Sequence, residues 1–274
     1  MSTEDARSSV SGSADEAEQH RPLSLRGHYA LGNPAIGPRP LARTRSFTRR
    51  GGRMPHTHQR AWDRLSDAVV LSVPLAAGDT STVVDPGYRL DPADVFGRRA
   101  PLVVEVGSGA GDALVAGAVA HPERDFLALE VWRPGTGHAL AKMAAANHGK
   151  ALPNVRVVEV DAALALRTML EPGTVEEVWT FFPDPWPKVR HHKRRLVGPE
   201  FADAVADVLR PGGRWRLSTD WDDYAAVMRD VVAAEPRFRL ASTERFPLRP
   251  VTRFERRGTE AGRRITDLAY VRTG

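Results

Sequence analysis

Asp184 sits between two prolines in the string Phe181-Phe182-Pro183-Asp184-Pro185-Trp186-Pro187-Lys188, and a basic run, VRHHKRR over 189–195, follows at once. Proline fixes its own φ and pushes the residue before it out of the helical region, so the pair holds this carboxylate in a rigid, non-helical segment. Phe181, Phe182 and Trp186, with Trp221 further on, offer flat faces for stacking a base and serve equally well as core. Lys188, Arg190, Lys193, Arg194 and Arg195 are five cations within eight residues, offered to phosphates. A fixed acid, aromatic faces and a cationic flank at the end of one strand suit chemistry on a nucleic-acid base. His191 and His192 have no acidic or cysteine partner at ligand spacing, so no metal is expected.

The elements that must position this acid carry four more. Short β-branched runs at 102–106, 125–131, 155–160, 177–182 and 213–219 read as strands, and an acid closes or nearly closes each: Glu105, Glu130, Asp161, Asp184 and Asp220. Helical patterns at 111–120, 136–147, 162–170, 199–209 and 221–234 alternate with them. Strand, helix, strand at this spacing predicts an α/β fold, a doubly wound and mostly parallel sheet with right-handed crossovers. In such a sheet the strands' C-terminal ends line one crevice, so the five acids converge on a cationic ligand. Asp161 and Asp220 are also placed to cap the helices that follow them. Glu105 and Glu130, at or inside apolar runs, are not.

Gly107-Ser108-Gly109-Ala110-Gly111 follows the first of these strands and opens a helix. Glycines there permit positive φ and let backbone N–H groups approach a ligand closely. Their spacing departs from the dinucleotide fingerprint, whose third glycine is replaced by Asp112. Asp112 and Glu105 would repel a pyrophosphate, which argues against a nicotinamide dehydrogenase, whereas a sulfonium amino acid brings positive groups that acids suit.

Two further runs, 237–243 and 265–272, add edge strands for a total of about seven, and Pro211-Gly212-Gly213 reads as the turn that stops a helix and launches a strand. An amphipathic helix over 58–71 leads into a single domain spanning 53–274. Residues 1–52 are rich in Ser, Gly, Pro and charge and read as a disordered extension, with an arginine run (Arg43, Arg45, Arg49, Arg50, Arg53) suited to a phosphate backbone or to covering the substrate site. The chain has 274 residues, a formal charge of +5 and no cysteine. Its basic balance permits a polyanionic partner, and the lack of cysteine suits a cytoplasmic protein, as monomer or homodimer. No apolar stretch approaches the ~20 residues that span a bilayer, so no membrane is expected.

These motifs closely resemble the bacterial tRNA (guanine-N7-)-methyltransferase family. The resemblance runs from about Arg43 to Arg272 through EVGSGAGD (105–112), LEVWRPG (129–135), VDAALAL (160–166), FFPDPWPKVRHHKRR (181–195), STDWDDYA (218–225) and RPVTRFERRG (249–258). It implies the Rossmann-like class I methyltransferase fold, S-adenosylmethionine as cofactor and tRNA as partner, with methyl transfer to N7 of the guanosine at position 46 of the variable loop. It further implies that Glu105, Gly107, Gly109, Gly111, Glu130, Asp161 and Asp184 contact the cofactor, Glu130 at the ribose hydroxyls and Asp161 at the adenine amino group. Lys188, Asp220, Thr252, Arg253, Phe254 and Glu255 match the family's substrate contacts, and Asp184 is the catalytic candidate. Trp132 departs from the pattern, standing where a smaller or polar residue, often His, is usual. The leader before Arg43 lies outside the family core. An adenine N6-methyltransferase would instead carry Pro-Pro-Tyr after the acid of the fourth strand, where this chain has Asp184-Pro185-Trp186.

Overall fold

The structure is a computed structural model that describes residues 52–76 and 82–274, so the expected disordered tail, apart from Gly52, lies outside the described residues. The strand β2 (Leu102–Val106) is buried at every position, as expected of a parallel strand covered on both faces. Its side chains alternate between two cores. Val103 joins a cluster with Leu65, Leu114, Leu140, Met143 and Trp179, and Val104 joins one with Leu166, Phe201, Trp215 and Met228. Helices α1 (His56–Val69), α3 (Asp112–Ala120) and α4 (Arg133–Ala146) cover the first face. Helices α5 (Ala162–Met169), α6 (Pro199–Val208) and α7 (Asp222–Ala233) cover the second. The short α2 (Pro92–Phe96) is capped by Asp91, which accepts from Ala93 N, with Pro92 in its first turn.

The sheet has eight strands in the order β1-β4-β3-β2-β5-β6-β8-β7. Here β1 is Val70–Leu71, β3 Asp125–Leu129, β4 Val155–Val158, β5 Val175–Phe181, β6 Leu209–Thr219, β7 Phe238–Ser242 and β8 Thr266–Arg272. Strands β1 to β6 pair in parallel, and β8 and β7 add antiparallel at one edge. This is the doubly wound, mostly parallel sheet expected, with one strand more than the count of about seven. The extra strand is β1, because the first helix stops at Val69 and Val70 and Leu71 pair with Val157 and Val158.

Two other boundaries differ for local reasons. Pro211-Gly212-Gly213 does not separate helix from strand. Helix α6 ends at Val208 and β6 starts at Leu209. The triplet is an irregularity inside β6, where pairing with β5 jumps from Leu209 to Arg214 and Gly212 takes φ 77°. Helix α4 begins three residues earlier than its apolar pattern. Pro134 lies in the first turn, where no N–H is needed, and Gly135 lets the helix pass close to Gly109 O.

The face under α3 is packed to the limit at Gly117. A Cβ there would stand 2.6 Å from Trp179 Cη2 and 2.9 Å from Phe126 Cε1. Gly117→Ala should therefore lower the melting temperature, since overpacking costs ~1–3 kcal/mol against the ~1 kcal/mol that alanine gains in a helix. An unchanged or raised midpoint in a thermal melt would contradict the tight α3–β5 contact.

Candidate active site

The C-terminal ends of β2, β3, β4 and β5 open into one cavity of about 380 Å³, the size of a small-molecule site. Its floor includes Glu105, the 107–110 loop, Glu130, Trp132 and Asp161, and its wall includes Phe181, Phe182, Asp184 and Arg249. Thr252, Arg253, Phe254 and Arg257 complete the rim. Gly107, Gly109 and Gly111 all take positive φ (72°, 53° and 71°), and a Cβ on Gly111 would stand 2.5 Å from Ala139 Cβ. Backbone conformation favours glycine at all three positions, and close packing requires it at Gly111 as well.

Glu130 organises the loop. Its Oε2 accepts from Gly109 N at 2.6 Å, and its Oε1 accepts from Val131 N and Trp132 N, each at 2.8 Å. Burial raises its pKa and these N–H groups oppose the rise. Asp161 caps α5, accepting from Ala163 N at 3.1 Å, and also lines the cavity. Glu105 is buried, and its Oε2 has no hydrogen-bond partner among the described residues. Burial, then the nearby Glu130 and Asp112, push its pKa up from 4.5 to about 8, against the Leu114 N–H and Lys142.

Asp184 is exposed and lines the cavity in the loop after β5. That loop is held in an unusual shape: Phe182 and Trp186, two residues either side of Asp184, take φ 50° and 43°. Non-glycine residues rarely occupy this region, and surrounding contacts must hold them there. Phe182 N donates to Ser218 O at 2.8 Å. The Arg249 guanidinium lies 5.1 Å from the Phe182 ring and that of Arg194 lies 4.8 Å from the Trp186 ring. Trp186 also meets His191 edge-on. The side chains of Phe181 and Trp221 pack against the two cores.

The residues matched to substrate contacts divide. Arg253 and Phe254 are exposed on the cavity rim, with the guanidinium 4.9 Å from the ring. Thr252 lines the rim and caps helix α8 (Arg253–Glu260), its side chain accepting from Glu255 N at 3.3 Å. Lys188 is exposed beside the cavity rather than within its lining. Glu255 is buried behind the wall and paired with Arg245 and Arg249. Asp220 lies outside the cavity, joined to Arg263 at 2.8 Å and pressed against Gly258. Neither of these two acids faces the opening.

Sequence reasoning missed α8 and Arg249. The signal for the helix was present: Thr252-Arg253-Phe254-Glu255 has the T-x-x-E spacing of a capping box. Arg249 carried no such signal. It is fully buried, bonding Asp267 through two nitrogens (3.0 and 2.8 Å) and Glu255 through a third (2.5 Å).

Residues 99–268 match a family model described as "Putative methyltransferase". The chain is 46% identical over 263 residues to a curated protein of Cutibacterium acnes, covering 94% of this chain and 93% of the relative. It is 48% identical over 229 residues to one from a Nocardioides species (84% and 87%) and 45% identical over 240 residues to one from Alkalilimnicola ehrlichii (86% and 94%). Each of these relatives is named tRNA (guanine-N(7)-)-methyltransferase. A crystal structure of the 16S rRNA methyltransferase KamB aligns with a TM-score of 0.49 at 19% identity, over 68% of this chain and 95% of that one.

Glu105 supplies a pH-dependent outcome. With its carboxyl raised to about 8, the free protein holds a proton there at pH 7. A cationic ligand favours the ionised form, so binding of S-adenosylmethionine at pH 7 should release a proton, and less of one above pH 8. Calorimetry in buffers of different ionisation enthalpy reads that release, and Glu105→Gln should abolish it. Buffer-independent binding heats in the unmodified protein would contradict the assignment. Between pH 4.5 and 8 Glu105 holds more of a proton in the folded than in the unfolded chain, so its own contribution to the stability of the free protein falls as pH rises through that window.

Proposed function

Because this chain belongs to the tRNA (guanine-N(7)-)-methyltransferase family, we propose that it methylates N7 of the guanosine at position 46 in the variable loop of tRNA, with S-adenosylmethionine as the methyl donor. One observation above all supports the reading: a single crevice joins an acid-lined cavity to the exposed Asp184 and to the Arg253–Phe254 rim.

The cavity's donor set suits this cofactor. The unpartnered Glu105 oxygen fits a ligand carrying positive charge. Glu130 already accepts three N–H bonds of the roughly four that a carboxylate can take, which leaves about one for a ribose hydroxyl, through Oε2. Asp161 stands at the adenine end by resemblance. When bound, S-adenosylmethionine supplies an electrophilic methyl on a sulfonium.

Guanine N7 carries a lone pair and no proton at neutral pH, so this chain need not provide a general base at the nucleophile. It must align the base and favour the positive charge that the purine acquires. Asp184, exposed and fixed in its loop, is placed for the second task. Double-stranded RNA hides N7 in a deep, narrow groove, so the base must leave its stack, and the exposed Arg253 and Phe254 give it a surface to meet. Lys188, Arg190 and Lys193, all exposed, then take phosphates of the same strand. With a reducing-compartment composition and no described helix long and apolar enough to cross a membrane, cytoplasmic tRNA is the fitting substrate.

The direct test incubates the purified chain with radiolabelled S-adenosylmethionine and unmodified tRNA and maps the label. N7-methylguanosine at position 46 is expected, and label at another base or atom would overturn the reading. Asp184→Asn keeps size and shape and removes the charge. Its single-turnover rate at saturating tRNA and cofactor should fall by roughly 100-fold or more, by analogy with loss of one preorganised electrostatic group. An Asn variant that transfers methyl at the normal rate would leave Asp184 a structural brace only.

A further inference from the structure

The basic run after Asp184 is not uniform. It forms a 3-10 helix over Val189–Arg194, and Lys188, Arg190 and Lys193 are exposed along it. Arg195, offered to phosphate with the others on sequence grounds, closes that helix with a side chain only 4% exposed. Its guanidinium is engaged on three sides. Nε donates to the Pro185 carbonyl at 2.9 Å, and Nη2 donates to Asp223 Oδ2 at 2.5 Å. The plane lies 4.7 Å from the ring of the buried Tyr224. That hydrogen bond from Arg195 holds the Asp223 carboxyl below the usual range. Tyr224 is fixed in turn, its hydroxyl accepting from Val197 N at 3.0 Å.

The Pro185 carbonyl belongs to the peptide that leads into Trp186, one of the two left-handed residues of the Asp184 loop. Prolines at 183, 185 and 187 remove three backbone N–H donors, which raises the weight carried by the loop's carbonyls and packed rings. An arginine fork can reach a carbonyl and a carboxylate at once in fixed geometry, which the point charge of a lysine does not reproduce.

From this geometry we infer that Arg195 is a positioning residue for Asp184 and not a phosphate contact, an inference that rests on the methyl-transfer role given to Asp184 above. The cation is already paired and shielded, so it has little to offer an incoming backbone. Its work is to hold the Pro185 peptide, and with it the carboxylate next door, relative to α7, which carries Asp223 and Tyr224.

Two variants and two readouts test this. Arg195→Lys keeps the charge and loses the fork. Asp223→Asn leaves Arg195 in place and strips the charge from its anchor. Both should lower the single-turnover rate at saturating tRNA and cofactor by roughly 10- to 100-fold, the scale set by misplacement of a reacting group by about 1 Å. Their tRNA dissociation constants should stay within about threefold of the unmodified protein, roughly 0.7 kcal/mol. The salt dependence of tRNA binding supplies the second readout. Arg195→Ala should leave its slope unchanged, whereas Lys193→Ala should make it shallower by about one unit, as loss of a phosphate contact does. Saturating rates within twofold of normal in both Arg195→Lys and Asp223→Asn would overturn the inference. So would a slope shallower by about one unit in Arg195→Ala. If that variant does not fold, the rates of the other two still decide the matter. Mapping the methyl group in the same reactions keeps the two readings apart: transfer to N7 with normal variant rates sinks only the role of Arg195, and transfer elsewhere sinks the proposed function.

Discussion

The structure turns on keeping two bulky residues, Phe182 and Trp186, in left-handed backbone on either side of one exposed acid. Each such residue costs of order 1–3 kcal/mol and persists only if its surroundings over-determine it. On one side, Arg249 lies over Phe182, itself fixed by Asp267 on β8 and by Glu255 on α8. On the other, Arg194 lies over Trp186, and Arg195, anchored to Asp223 on α7, grips the Pro185 carbonyl. The antiparallel strand β8, the last helix and the basic turn thus all converge on the loop at the end of β5. Asp184 stays exposed in a loop whose neighbours on both sides are held in place.

Charge is segregated along the crevice. Three acidic side chains, Glu105, Glu130 and Asp161, form the floor, while Arg253, Arg257 and the exposed members of the basic run stand at the rim and beyond. A cationic small molecule and a polyanion would otherwise compete for the same surface. Buried acids in a low dielectric attract the first strongly, and exposed cations steer the second from a distance. Asp184 lies at the boundary between the two, as the role proposed for it requires.

Much of this was legible from local pattern. The β-branched runs, the glycine loop and the acids at strand ends all lie within a few residues of what they position, so the sheet and the floor of the cavity follow from spacing. What escaped depends on distant partners. Arg195 reads as one more cation until Asp223, 28 positions later, and Tyr224 are folded against it. Asp220 and Glu255 read as open acids until Arg263, Arg245 and Arg249 close over them. The two-residue β1 exists only because β4 offers it an edge. Helix α8 is the exception, since its capping box was written locally in Thr252 and Glu255.

The central claim is that Asp184 faces the purine as the purine becomes charged. A crystal structure of the full chain with S-adenosylhomocysteine and tRNA tests it most directly. The account predicts a guanine splayed from its stack against the Arg253–Phe254 rim, N7 turned toward the sulfur, and the Asp184 carboxylate in contact with the imidazole half of the base. A guanine seated with its N7 toward the sulfur while Asp184 turns away from it, paired instead with Lys188 or Arg190, would contradict the claim.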